Sequence, residues 1–276
     1  MKTRAPRSEP PSVVIAVPVY RPMLSPDEQI SWNHLQHHLG EAFEIRLFLP
    51  NELPSPLPGV REERFPPEYF RGVETYSRLL LSESFYRRFE DFEHLLIYQL
   101  DALVFSNGLR EWCGAGYDYV GAPWWHDPEH PDRGLSRAGN GGLSLRRVEA
   151  FLEVLTSRRY REEEVSLLEQ WRSSRLPDLE GSGRRRLFKR LNVLRDVRRG
   201  ATWYAGSYTL NEDRFWSDRA HLFRPGFRVA EAATALRFAF ERQPRRCYEI
   251  NGRQLPFGCH AWARYDREFW EPFLLP

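Results

Sequence analysis

At 276 residues the chain can bury a core without disulfides or bound metal. Its 40 Lys and Arg against 38 Asp and Glu leave a net charge of +2, so whole-molecule charge gives no reason to expect a nucleic-acid partner. Cys113, Cys247 and Cys259 are far apart and odd in number, which indicates neither a zinc ribbon nor a disulfide framework and suits a reducing cytoplasm. No apolar run reaches the roughly eighteen residues of a membrane span. Residues 1–11 are basic and proline-bearing with no apolar core, so no signal peptide is expected and they read as a flexible N-terminus. The expectation is a cytoplasmic protein, or one peripheral at the inner face of the membrane.

The first predicted element is a strand over 12–18, an unbroken apolar, β-branched run bounded by prolines, as in a strand buried on both faces. Ser25, Pro26 and Glu28 then supply an N-cap, a first-turn proline and a capping-box acid, predicting a helix to about Gly40. A second strand over 43–49 completes β-α-β, and the right-handed crossover rule places both strands in one parallel sheet. Residues 51–59 read as proline-rich loop and 60–65 as a short third strand. A helix over 74–89 leads into an apolar strand over 94–101 that ends in a carboxylate, Asp101. Ligands of open α/β sheets bind beyond the carboxyl ends of the strands, so Asp101 is expected to face a site. Further on, 117–122 reads as strand, 139–145 as a glycine-rich turn into a strand, 147–171 as helix, 172–183 as polar linker and 211–219 as the start of a helix. Between them, 184–199 combines Arg184, Arg185, Arg186, Lys189, Arg190, Arg195, Arg198 and Arg199 with apolar residues at helical spacing. Such a segment fits an anionic membrane surface or phosphates, and equally a solvated helix face packed on the domain. No RNA-binding signature or helix-turn-helix pattern accompanies it, so a nucleic-acid substrate has only this stripe in its favour.

Tyr98-Gln-Leu-Asp101-Ala, Tyr119-Val-Gly-Ala-Pro-Trp124, Gly139-Asn-Gly-Gly-Leu-Ser-Leu-Arg146, Asn211-Glu-Asp213 and Pro256-Phe-Gly-Cys-His260-Ala-Trp262 stand in a specific order. Together they resemble a bacterial family long catalogued as a domain of unknown function and grouped with GT-A glycosyltransferases. The resemblance implies an α/β fold of GT-A type: a Rossmann-like nucleotide-diphospho-sugar transferase with a mixed central sheet in a single domain over 12–276. Its nucleotide-binding half would be 12–115 and its acceptor half 116–276. The implied partners are a nucleotide-sugar donor and a glycan or small-molecule acceptor, with Mn²⁺ or Mg²⁺ as cofactor.

The resemblance also implies roles. Asp101 would hold the cation that neutralises the leaving diphosphate, with His260 completing the metal site. GT-A enzymes usually carry Asp-x-Asp, whereas Gln99-Leu100-Asp101 supplies one carboxylate, which opens the alternative of a catalytically silent nucleotide- or sugar-binding module. Pro18, Val19 and Tyr20 would cradle the nucleotide, with Tyr76 and Arg78 adding stacking and a pyrophosphate contact. In the Gly139–Arg146 turn, Asn140, Gly141 and Gly142 would let the backbone approach donor sugar and acceptor while Ser144 and Arg146 bond hydroxyls or phosphate. Trp124 and Trp125 are candidates for a sugar-stacking platform or for ordinary core packing. Of the adjacent acids Glu212 and Asp213, only one can face the acceptor from a helix start; Asp213 is expected as the general base of an inverting transfer and Glu212 as acceptor anchor or helix cap. Acids at a helix start are also favoured electrostatically without any catalytic role.

Overall fold

The computed structural model describes residues 12–157, 205 and 208–276. The expectations for 1–11, for the linker 172–183 and for the basic segment 184–199 fall outside these residues.

Strands β1 (Val13–Pro18), β2 (Glu44–Pro50), β3 (Arg61–Phe65) and β4 (His94–Tyr98) pair in parallel, in the spatial order β3-β2-β1-β4. Beyond β4 the sheet continues through β9 (Leu143–Arg147), antiparallel to β4, and β6 (Tyr119–Gly121), antiparallel to β9. The result is a six-stranded mixed sheet, as expected. All six residues of β1 are buried because both faces are covered. Val14 and Ala16 enter one apolar cluster with Phe48, Tyr76 and Phe151, while Val13, Ile15 and Val17 enter another with Trp32, Leu35 and Leu96. This period-2 division is what an unbroken apolar run encodes. Two smaller sheets accompany the large one among the described residues. One is made of β10 (Ala239–Phe240), β11 (Gly258–Cys259) and β5 (Leu103–Val104), the other of β7 (Pro123–Trp125) and β8 (Leu135–Ala138).

Helix α1 (Pro26–Leu35) starts as the sequence dictates: Ser25 Oγ accepts from Glu28 N at 3.3 Å and Glu28 Oε2 from Ser25 N at 2.7 Å. Its last five expected residues, Gln36–Gly40, wind as a π-turn. The helix expected over 74–89 is two, α2 (Val73–Leu80) and α3 (Glu83–Arg87). Ser82 divides them: its Oγ donates to Leu79 O at 2.7 Å and accepts from Phe85 N at 3.2 Å, closing one helix and capping the next. Helix α5 (Val148–Leu155), preceded by α4 (Leu109–Gly114), was expected to run to Trp171 but ends at Leu155. There Thr156 Oγ1 turns back to donate to Leu152 O at 2.7 Å, and 158–171 lies outside the described residues. Among the described residues no helix is long and apolar enough to cross a membrane.

Candidate active site

At the carboxyl ends of β1 and β4 opens a cavity of about 530 Å³, walled by the 70–77 segment, the Asn140–Gly142 turn, the start of helix Glu212–Asp218 and the 260–265 loop. Its floor is set by the turn after β4. Gln99 N donates to Gly142 O and Ala102 N to Gln99 O, both at 2.9 Å, which lifts Asp101 out of the strand with its side chain half exposed. Trp262 N donates to Asp101 O at 3.1 Å and docks the 260–265 loop beside it. His260 is thereby held with Nε2 3.2 Å from Asp101 Oδ1 and 3.1 Å from Gln99 Oε1, and Nδ1 3.3 Å from Glu241 Oε1. Burial lowers the imidazole pKa, but the two carboxylates more than offset it and push the value up to about 10. The same charge holds Asp101 below the usual carboxylate range despite its desolvation.

The glycines of the Asn140–Gly142 turn are required by neighbouring side chains. A Cβ on Gly142 would lie 2.0 Å from His260 Nε2, and one on Gly141 would lie 2.4 Å from Glu212 Oε1. Asn140 orders the turn, its Oδ1 accepting from Gly142 N at 3.0 Å while its Nδ2 donates to Glu241 Oε1 at 2.9 Å.

Asp213 lines the cavity at the first turn of its helix and Oδ1 accepts from Arg214 N at 2.7 Å. Desolvation, and then the negative charge of Glu212, push its pKa up to about 7. Glu212, expected as acceptor anchor or helix cap, has its carboxylate turned to Arg146. It is buried and receives Arg146 Nη2 at 2.8 Å on Oε1 and Nη1 at 3.0 Å on Oε2, so its carboxylate is occupied. Arg146, expected to bind hydroxyls or phosphate, is fully buried, its remaining donors going to Tyr86 Oη at 2.9 Å and Ser144 Oγ at 3.0 Å. Ser144 is likewise buried, donating to Gly141 O at 2.9 Å. Arg146 and Ser144 brace the cavity from behind, whereas Glu212 lines it with its carboxylate held by Arg146.

Of the expected nucleotide contacts, Tyr20 and Tyr76 line the cavity with their rings edge-on at 6.1 Å, and the Tyr76 Oη is buried. Pro18 and Val19 are buried below it, and Val19 N is committed to Phe48 O at 3.0 Å, which leaves that amide no part in a backbone cradle. Arg78 faces away, paired with Glu74 at 2.5 Å. Trp124 stands outside the cavity with the Arg214 guanidinium 4.6 Å from its ring centre, and Trp125 is core, its Nε1 donating to Arg242 O at 3.0 Å. Neither forms a platform in the cavity. Glu241, Phe70, Arg71 and Arg264 line it and carry no motif in the sequence; Glu241 follows a strand of two residues, too short to leave a pattern.

Among the described residues no group of three or more His, Cys, Asp or Glu is arranged to hold a metal ion. His260 Nε2 nevertheless lies within 3.2 Å of both Asp101 Oδ1 and Gln99 Oε1. That mixed oxygen and nitrogen donor set fits Mn²⁺ or Mg²⁺ once phosphate oxygens add to it, with His260 neutral when it ligates.

The family model described as "Protein of unknown function (DUF5672)" matches residues 59–260. The chain belongs to this family. No curated protein matches the sequence. Among solved structures, this DUF5672 member is similar to the galactosyltransferase LgtC in complex with donor and acceptor sugar analogs, at 14% identity over 94% of this chain and 93% of that one, TM-score 0.46. It is similar also to a glycosyltransferase involved in the glycosylation of the major capsid of PBCV-1, at 12% identity over 95% and 98%, TM-score 0.47. A third is the mannosyltransferase PcManGT from Pyrobaculum calidifontis in complex with GDP-Man and Mn²⁺, at 14% identity over 52% and 46%, TM-score 0.35.

Proposed function

We propose that this chain is a GT-A-type glycosyltransferase of bacterial glycan synthesis that moves a sugar from a nucleotide-sugar donor to an acceptor hydroxyl, with inversion. The observation that carries the reading is that Asp213, with a pKa near 7, and the Asp101–His260 pair line one cavity at the strand ends. Asp213 is poised to take a proton at neutral pH, which is what activating a sugar hydroxyl requires. Tyr20 and Tyr76 supply an aromatic wall for the nucleotide, and the Asn140–Gly142 turn passes the backbone along the sugar. As the acceptor oxygen bonds to the anomeric carbon, its proton goes to Asp213. The bond from that carbon to the diphosphate breaks with its electron pair on the leaving oxygen. A divalent cation at Asp101 and His260 would act as a Lewis acid on that leaving group.

The test is a panel of nucleotide-sugars with Mn²⁺, Mg²⁺ or chelator, read as donor hydrolysis and as transfer. Turnover in the metal arms alone supports the full reading, and equal turnover in chelator removes the metal from it. The single carboxylate of Gln99-Leu100-Asp101 favours a second reading, a silent nucleotide-binding module. Tight diphosphate binding with no turnover across the panel would select it.

A further inference from the structure

The charges around the cavity leave a gap in the donor reading. Arg146 is spent on Glu212, and His260 lies between Asp101 and Glu241. Position 99, where a second carboxylate would strengthen cation binding, is Gln. A leaving diphosphate therefore needs positive charge from elsewhere on the wall. Two lining cations, Arg71 and Arg264, are exposed and form no direct ion pair with an acid among the described residues.

Arg264 is the better placed. It sits two residues beyond Trp262, whose amide is hydrogen-bonded to Asp101 O at 3.1 Å, so its turn is anchored to the backbone of the expected cation ligand. Its charge already acts on the Asp101 carboxylate. Ala261 and Asp266, on either side of it, both adopt left-handed backbone at φ 53° and 58°, a conformation disfavoured for residues with a Cβ and concentrated where a site imposes it. Between them, Arg264 N and Tyr265 N both donate to Ala261 O at 3.0 Å, and Asp266 is gripped by Arg245 at 2.6 and 3.0 Å. The guanidinium rests 5.3 Å from the Tyr265 ring centre. The backbone that carries this charge is therefore closely held at the cavity wall.

Resting on the donor reading above, we infer that Arg264 is the diphosphate-binding residue of this site, pairing with the outer phosphate of the nucleotide-sugar and with the charge that develops there as the sugar departs. The electron pair of the broken bond stays on the leaving oxygen. Arg264 meets it with guanidinium N–H donors and gives up no proton, so the step balances without a further reactant. Arg suits this place because its fork matches two phosphate oxygens at once.

The experiment is calorimetric binding of UDP, GDP, CDP and dTDP, each beside its monophosphate, with Mn²⁺ and with EDTA, to wild type, Arg264→Ala, Arg264→Lys and Arg71→Ala. For a diphosphate the wild type binds, Arg264→Ala should weaken Kd by about tenfold or more while monophosphate affinity stays within about twofold, and Arg264→Lys should recover part of the loss. Arg71→Ala should cost less than about threefold. Unchanged diphosphate affinity in Arg264→Ala overturns the inference alone, as does an equal loss in Arg71→Ala. A wild type that binds none of the four diphosphates overturns the donor reading and this inference with it.

Discussion

Asp213 links chemistry to stability with a definite sign. Its folded pKa of about 7 lies above the ordinary 3.8, so the folded state holds this proton more tightly than the unfolded chain. The resulting stability is fully present below the unfolded value and is lost as pH rises through about 7. Asp213→Asn should therefore raise the melting temperature more at about pH 8 than at about pH 5, a difference that scanning calorimetry would show. In the same variant kcat should fall about 10²- to 10⁴-fold with donor affinity unchanged, while wild-type kcat/KM should rise through pH 7 on the alkaline side of this group. Wild-type turnover in Asp213→Asn would remove it as the base. Gly142 carries a second expectation. Its Cβ would meet His260 Nε2, so Gly142→Ala should displace the imidazole from Asp101 and abolish metal-stimulated hydrolysis without unfolding the protein, checked by circular dichroism beside the assay. That Asp101, His260 and Asp213 share one cavity was legible because each sits in a recognisable word or at the end of a patterned element. Glu241 and Arg264 were not, since one follows a two-residue strand and the other a left-handed turn, neither of which has a periodicity to read.

Between elements, the decisive link is Arg146 to Glu212, which fastens β9 to helix Glu212–Asp218 and backs the Asn140–Gly142 turn. Glu212 N also donates to Ser77 Oγ at 3.3 Å, so α2 joins the same junction. Breaking a buried pair leaves an uncompensated charge, and Arg146→Met or Glu212→Gln should each cost about 3–5 kcal/mol by denaturant titration, well above a surface substitution. Glu212→Gln also removes one cause of the raised Asp213 pKa, so the pH profile of any remaining activity should move toward lower pH. An unchanged midpoint in both variants would show that the junction is not structural. This coupling was invisible in the sequence because its partners are 66 positions apart and each reads locally as a plausible ligand contact. The parallel strands and the Ser25 cap were plain, because an unbroken apolar run and a capping box are local signals. The break at Ser82 was missed because apolar spacing continues across it, and only the hydroxyl's bonds to Leu79 and Phe85 reveal two helices.

For the molecule as a whole, a ligand that bridges the 70–77 wall, the Asn140–Gly142 turn and the 260–265 loop stabilises all three together. A nucleoside diphosphate at about one hundred times its Kd should add about 2.7 kcal/mol, visible as a shift of several degrees in thermal melting, while an isolated sugar should add far less. No shift with any nucleotide would argue against the cavity as a donor site. The order of the central sheet has one more consequence, for how the chain is made. Strand β4 is buried throughout and lies inside the sheet only because β9 pairs along its outer side, with His94 opposite Arg147 and Tyr98 opposite Leu143. During synthesis β4 emerges some fifty residues before its partner, and until then it is a bare, sticky edge. A nascent chain halted before Leu143 should aggregate more readily than one that has also released Arg147 from the ribosome. A ribosome that pauses in that interval, or a chaperone that covers β4 during it, would set the yield of folded protein.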